Sequence, residues 1–365
     1  MATKQITRHQ AIALIALFIF GNNVMIGVNS ITGKDSWLAV IGAAILCIPI
    51  LMMYGRILSL YPEQGFFDII FKLWGKALGT VATLLMVWFS LHSGALTFRS
   101  LYEFIIGNTL TDPPYLLFPM VLLLIGLYLI RGGLSVLGKW SVSLVVYIFL
   151  LALLTGILSL KMIDPEYLQP VLRHSAKDMA IGTAQIMSFP FLETVILLPI
   201  VSTIKCNGRY ISVLLKGLLL AMPIMIYVTL RNTLILGEPL MDIVYYPTFT
   251  AVQTLHIGGF LTRIEESIST YMILTCLTKI AVCLSMAANG VARISSLPEP
   301  EKIAAPMGLL LFAISLLAVR NMGELITFIK YYPIYTVTFQ LLIPLALWLT
   351  AEWKNQRQKK AGLPS

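Results

Sequence analysis

Residues 181–203 form an apolar stretch long enough to cross a bilayer, yet Pro190 and Glu193 stand near its middle. Pro190 removes a backbone donor and its ring clashes with the preceding turn, so a straight helix is not expected there. An ionised Glu193 at that depth is costly unless it is paired, protonated or turned toward a cavity. In lipid a broken helix is tolerated only where the freed backbone groups are buried in protein or line water. The segment Ile186–Thr194 is therefore expected to face an internal site. The alternative is a kinked structural helix that carries a neutral glutamic acid.

Composition extends this to the whole chain. Of 365 residues, 58% are hydrophobic and only 12% charged, which excludes a soluble domain and points to an all-α polytopic membrane protein. Cys47, Cys206, Cys276 and Cys283 show neither metal-ligand spacing nor a disulfide pattern. The first apolar run is long enough to span and is not followed by a small-residue cleavage site, so no cleavable signal is expected. The net charge of +9 suits loop topology better than nucleic-acid binding, and no nucleic-acid partner is expected.

Ten spans are predicted, at about 10–31, 37–60, 80–107, 114–131, 139–161, 181–203, 210–236, 266–290, 303–320 and 333–351. Two further segments, Gly65–Leu73 and Asp242–Leu255, are amphipathic and expected to be interfacial. With the N-terminus inside, sixteen lysines and arginines fall on the inner side against eight, Arg231 among them, on the outer; Arg99 and Lys279 lie within spans. Both termini are therefore expected in the cytoplasm, and the basic tail 352–365 is expected to touch anionic lipid.

Ten spans divide into five plus five, with repeats of about 10–161 and 181–351 in a single transmembrane domain. The first span of each half is unusual. Span 1 contains Gly21-Asn22-Asn23-Val24-Met25-Ile26-Gly27, a sequence poorly suited to a helix centre, and span 6 contains the Pro190–Glu193 interruption. Interrupted helices at matching positions of two halves point to an inverted-repeat fold with broken helices 1 and 6 and a mid-membrane ligand site. Close helix packing also explains a glycine-rich span 1. At a break, half-helix N-termini suit a carboxylate and half-helix C-termini an ammonium, so a zwitterionic amino acid fits both. Gly27 permits close approach to the backbone, and Met187, Phe189 and Leu192 shape a pocket for an apolar side chain.

Lys279, near the middle of span 8, is expected either to lose its proton or to find a carboxylate, and Glu193 matches it in depth. Two alternatives are that Lys279 stands where related transporters hold sodium, and that it is a snorkelling lysine. Arg99 and Glu103 are four residues apart on one face of span 3 and are expected to pair, as a structural ion pair or an outer gate. His92, with Ser90, Ser93 and Gly94, lies deeper in span 3, at the cavity or as a satisfied core residue. The chain has no phosphate-binding loop, metal-ligand cluster or dinucleotide fingerprint, so no cofactor, metal or catalytic residue is expected and an enzyme is not indicated.

The chain resembles the B subunits of spore germinant receptors, the spore-permease branch of the amino acid–polyamine–organocation superfamily. The resemblance is carried by the span 1 segment Asn22–Val28, by Asp35-Ser36-Trp37-Leu38 at the start of span 2, by Arg99 followed by Glu103, and by Leu168-Gln169-Pro170-Val171-Leu172. It continues in Phe189-Pro190-Phe191-Leu192-Glu193 with Pro199, in Pro247-Thr248, in Arg263 with Glu265, and in Ala287-Ala288-Asn289-Gly290. Phe191 and Leu192 stand where the family often has glycine, and Tyr246 where it has tryptophan.

The resemblance implies a LeuT-like ten-helix fold that senses nutrients in the spore inner membrane, beside an A subunit and a C lipoprotein. It implies binding of an amino acid or similar germinant and a conformational signal to the A subunit. The candidate ligand-binding residues are Asn23, Met25, Gly27, Ser93, Thr97, Met187, Ser188, Phe189, Leu192, Glu193 and Thr278, between spans 1, 3, 6 and 8. Arg99, Glu103, Glu193 and Lys279 are the candidate charge and gating residues. The rival expectation is a proton- or ion-coupled amino acid transporter, in which the same site alternates its exposure.

Overall fold

Apolar helices account for most of the described residues. The computed structural model describes residues 6–21, 31–108, 117–255 and 264–360. The helices are α1 (Arg8–Gly21), α2 (Ser36–Leu60), α3 (Phe66–Asn108), α4 (Leu117–Arg131), α5 (Leu134–Ser159), α6 (Ala176–Val201), α7 (Tyr210–Met241), α8 (Ile264–Ile294), α9 (Glu301–Ala318) and α10 (Met322–Lys360). No strand occurs among the described residues. Among the described residues eight helices, α2, α3 and α5 to α10, are long and apolar enough to cross a bilayer; α1 and α4 are shorter apolar helices. The span 1 interruption and its candidates Asn23, Met25 and Gly27 lie outside the described residues, as does Arg263.

Capping and turn residues set the ends that apolar periodicity misplaces. Ser175 accepts from the backbone N–H of Asp178 and starts α6 at Ala176. Asn321 does the same for Glu324 and starts α10 at Met322, well before the predicted 333. Gly133, at φ 79°, lets α5 begin at Leu134 rather than 139.

The two amphipathic segments do not form spans of their own. Residues 66–74 form the first turns of α3, where Phe66, Phe67, Ile69 and Ile70 are buried against the protein. Gly75, at φ 73° and ψ −172°, then redirects the chain, a conformation that a side chain would strain. Late in α7, Gly237 takes a similar conformation, and the short helix Pro247–Gln253 follows with Thr248, Phe249 and Val252 buried.

α1 and α8 form the centre of the bundle. Almost every α1 residue from Ala11 to Gly21 is buried, and α8 is buried along most of its length. α8 packs along α3 and touches α1, α4, α5 and α9, while α2 and α1 pack on α7. Glycine permits the closest approaches. A Cβ on Gly55 of α2 would stand 2.6 Å from the backbone of Ile211 on α7.

Candidate functional site

Helical geometry fails inside α6 as the proline predicts. Regular α-helix runs from Ala176 to Ile186, Phe189 departs to φ −135° and ψ 104°, and a tight 3₁₀ stretch from Leu192 leads to a last helical turn at Leu198–Val201. The freed Ser188 carbonyl accepts from the side-chain amide of Gln340 at 2.8 Å. Gln340 lies where α10 also loosens, at Thr338–Leu342, and its own carbonyl accepts from the hydroxyl of buried Tyr54 on α2. The break is therefore satisfied from a neighbouring helix, as a non-helical backbone at membrane depth requires.

Just beyond the break, Glu193 projects into a fully enclosed polar cluster. Its Oε2 lies 2.5 Å from Nζ of Lys279 on α8, and both side chains are 0% exposed. Its Oε1 accepts from the hydroxyl of Ser93 on α3 at 2.8 Å and from that of Tyr332 on α10 at 2.5 Å. The carboxylate thus joins α3, α6, α8 and α10. The Lys279 ammonium faces the rings of Phe189 at 4.8 Å and Phe18 of α1 at 5.2 Å, so two aromatic faces further stabilise its charge. A buried ion pair is stable only where geometry is good and further hydrogen bonds serve the remaining lone pairs, and both hold here.

A cavity lies off this cluster, with none of Glu193, Lys279, Ser93 and Tyr332 in its lining. Its volume is about 630 Å³, and it is lined by the α2–α3, α4–α5 and α6–α7 connections and by Ala281, Ser285 and Asn289 of α8. Its lining reaches Ala281, two residues along α8 from Lys279. All of these connections belong to the face that the charge count assigns to the cytoplasm.

The family model described as spore germination protein, the spore permeases, matches residues 5–323. The chain belongs to the spore permease family. It is 25% identical to spore germination protein KB of Bacillus subtilis (strain 168) over 372 residues, covering 99% of this chain and 98% of that protein. It is also 25% identical to spore germination protein A2 of the same organism, over 78% of this chain and 79% of that one. Among solved structures, the nucleobase-cation-symport transporter Mhp1 superposes with a TM-score of 0.73 over 94% of this chain and 78% of its own, at 9% identity. MhsT in complex with L-phenylalanine gives a TM-score of 0.67 over 94% of this chain and 89% of its own, at 13% identity. The spore permease therefore has the LeuT-like transporter fold, and it is a multi-pass membrane protein of the germination-receptor or transporter-like kind.

In this spore permease the predicted site residues fall into three groups. Ser93, Glu193 and Lys279 meet directly, with Phe189 against the ammonium. Thr97, one turn past Ser93, returns its hydroxyl to the Ser93 carbonyl; Ser188 contributes its carbonyl to Gln340, while Met187 and Leu192 pack in the adjoining core. Thr278 faces away, accepting from the indole N–H of Trp140 on α5 at 3.1 Å.

Arg99 and Glu103 form the expected pair at 2.5 Å, and Arg99 also donates to the Arg320 carbonyl between α9 and α10. His92 sits in an aromatic nest, stacked on Trp88 and edge-on to Phe328 and Tyr335.

Two features escape the sequence. Tyr332 and Gln340 complete the cluster from a helix whose start is misplaced by periodicity; the polar residues at 332 and 340 in an apolar run are the available signal. On the opposite face Asp35 accepts the backbone N–H groups of Leu172 and Arg173 and lies 2.9 Å from Nδ1 of His174, whose Nε2 is 3.5 Å from Glu238. This binds the α5–α6 connection to the start of α2 and the end of α7.

Proposed function

We propose that this spore permease is the nutrient-sensing subunit of a spore germination receptor, binding an amino acid at the α6 interruption and signalling to partner subunits. The observation that carries the reading is the enclosed Glu193–Lys279 pair at a helix break, with Ser93 and Tyr332 on the same carboxylate. A zwitterion suits that arrangement, because its carboxylate is complementary to Lys279 and its ammonium to Glu193. The pair is also where two states can differ in energy, since a ligand shifts an equilibrium only through differential affinity. The likeness to a transporter solved with L-phenylalanine supports an amino acid in this fold. The likeness to spore germination protein KB supports a role in germination. In this reading the partners are an A subunit and a C lipoprotein in the spore inner membrane, and the excess of lysine and arginine on one side favours both termini in the cytoplasm. The repeats of about 10–161 and 181–351 move relative to one another in this scheme.

Germination of spores carrying this chain with its partner subunits, across single amino acids and sugars, tests the reading. A response to one amino acid that Glu193→Gln abolishes supports it. A second reading, a proton- or ion-coupled amino acid transporter, is favoured by the 630 Å³ cavity that approaches Lys279 from one face. Uptake of labelled amino acid into vesicles separates the two, because a sensor binds without net uptake.

A further inference from the structure

Arg231 is a buried cation without a counter-charge. It lies in the outer third of α7 and is 4% exposed. Its Nη1 donates to Thr155 of α5 at 3.1 Å and its Nη2 to the side-chain carbonyl of Asn232 at 2.9 Å. The ring of Tyr227 lies 5.6 Å from the guanidinium carbon. The buried Nε meets no acceptor. All of these partners are neutral, and among the described residues no carboxylate stands within 4.0 Å of the guanidinium. Neutral dipoles only partly offset the desolvation of a full charge in a low-dielectric interior, so an anion is the missing partner.

A small cavity stands beside it. Arg231, Thr155, Tyr227, Thr248 and Tyr271 line it together with aliphatic side chains, and its volume is about 20 Å³. That suits one atom-sized occupant. The lining is rich in donors. Tyr271 of α8 is 3% exposed and its hydroxyl has no partner. Thr248 of the short helix Pro247–Gln253 accepts from Asn232 at 3.0 Å, which leaves its hydroxyl proton available. A guanidinium and two hydroxyls with protons to donate around an atom-sized space form the inverse of a cation site.

We propose that this cavity holds a single monoatomic anion, chloride or another halide, that neutralises Arg231 and links α5, α7, α8 and the short helix Pro247–Gln253. The anion accepts from Arg231, Tyr271 and Thr248. The site is separate from the Glu193 cluster and does not depend on which nutrient binds there. A single water accepts the same hydrogen bonds without supplying charge, and the test distinguishes the two.

The experiment is thermal unfolding of the purified full chain in detergent, in sodium chloride and in sodium gluconate at equal ionic strength. Chloride is expected to raise Tm by a few degrees in a saturable way, and bromide to replace it, as for any ligand that binds only the folded state. Arg231→Met is expected to lose the saturable rise. Tyr271→Phe is expected to move its midpoint to higher chloride. Equal Tm in chloride and gluconate for the unaltered protein overturns the proposal, as does an undiminished chloride titration in Arg231→Met. If Arg231→Met does not fold, the Tyr271→Phe titration decides, and an unchanged midpoint there overturns the proposal.

Discussion

Lys279 on α8 and Glu193 on α6 approach to 2.5 Å with neither side chain exposed. The two residues are 86 apart in sequence. Each is costly at membrane depth without the other, so the pair fixes how α6 and α8 face one another.

Removing one partner leaves a buried charge uncompensated. Lys279→Met is expected to destabilise the protein by about 3–5 kcal/mol, and adding Glu193→Gln is expected to restore part of that loss. Thermal unfolding of both single variants and the double variant checks this. Additive effects contradict direct coupling.

Tyr332→Phe removes one of the two hydroxyl donors to Glu193 Oε1 while keeping the ring that packs on Phe189 at 5.5 Å. The expected loss is about 1 kcal/mol, small enough for normal folding. Because the donor acts on the carboxylate itself, the nutrient concentration for half-maximal germination is expected to shift. An unchanged dose–response curve removes Tyr332 from the site.

Gln340→Leu leaves the Ser188 carbonyl at the α6 break without its donor. An orphaned buried carbonyl costs about 1–3 kcal/mol. The loss is expected to concentrate at the break, so hydrogen exchange should quicken at 187–193 before the rest of the bundle. Uniform quickening would mean that the bond stabilises the fold generally.

Asp35→Ala deletes the acceptor shared by Leu172, Arg173 and His174. The α5–α6 connection is expected to become protease-sensitive at 169–175 while the helical core keeps its hydrogen-exchange protection. Unchanged proteolysis of that segment contradicts a tethering role.

Much of this was legible in the sequence because membrane burial leaves polar residues few explanations. Glu193 and Lys279 stand out in apolar runs, and their matching depth leads to the pair that the structure shows. Pro190 marks the break for the same reason, since no side chain restores its missing donor. The partners from α10 were hidden for a physical reason. Tyr332 and Gln340 are uncharged and cost less at membrane depth than Glu193 or Lys279, so they stand out less from the apolar run, and only packing reveals which face they present. Residue 332 also fell outside a span whose true start is set by the Asn321 cap. Contacts between distant connections, such as Asp35 with His174, have no local periodicity and appear only in three dimensions.

Equilibrium binding of single amino acids to the purified full chain, compared with Glu193→Gln, asks whether the buried pair receives the nutrient. Saturable binding of one amino acid class is expected for the unaltered protein and its loss in the variant, with both proteins unfolding cooperatively. Equal binding by the two proteins contradicts the claim that Glu193 and Lys279 receive the nutrient.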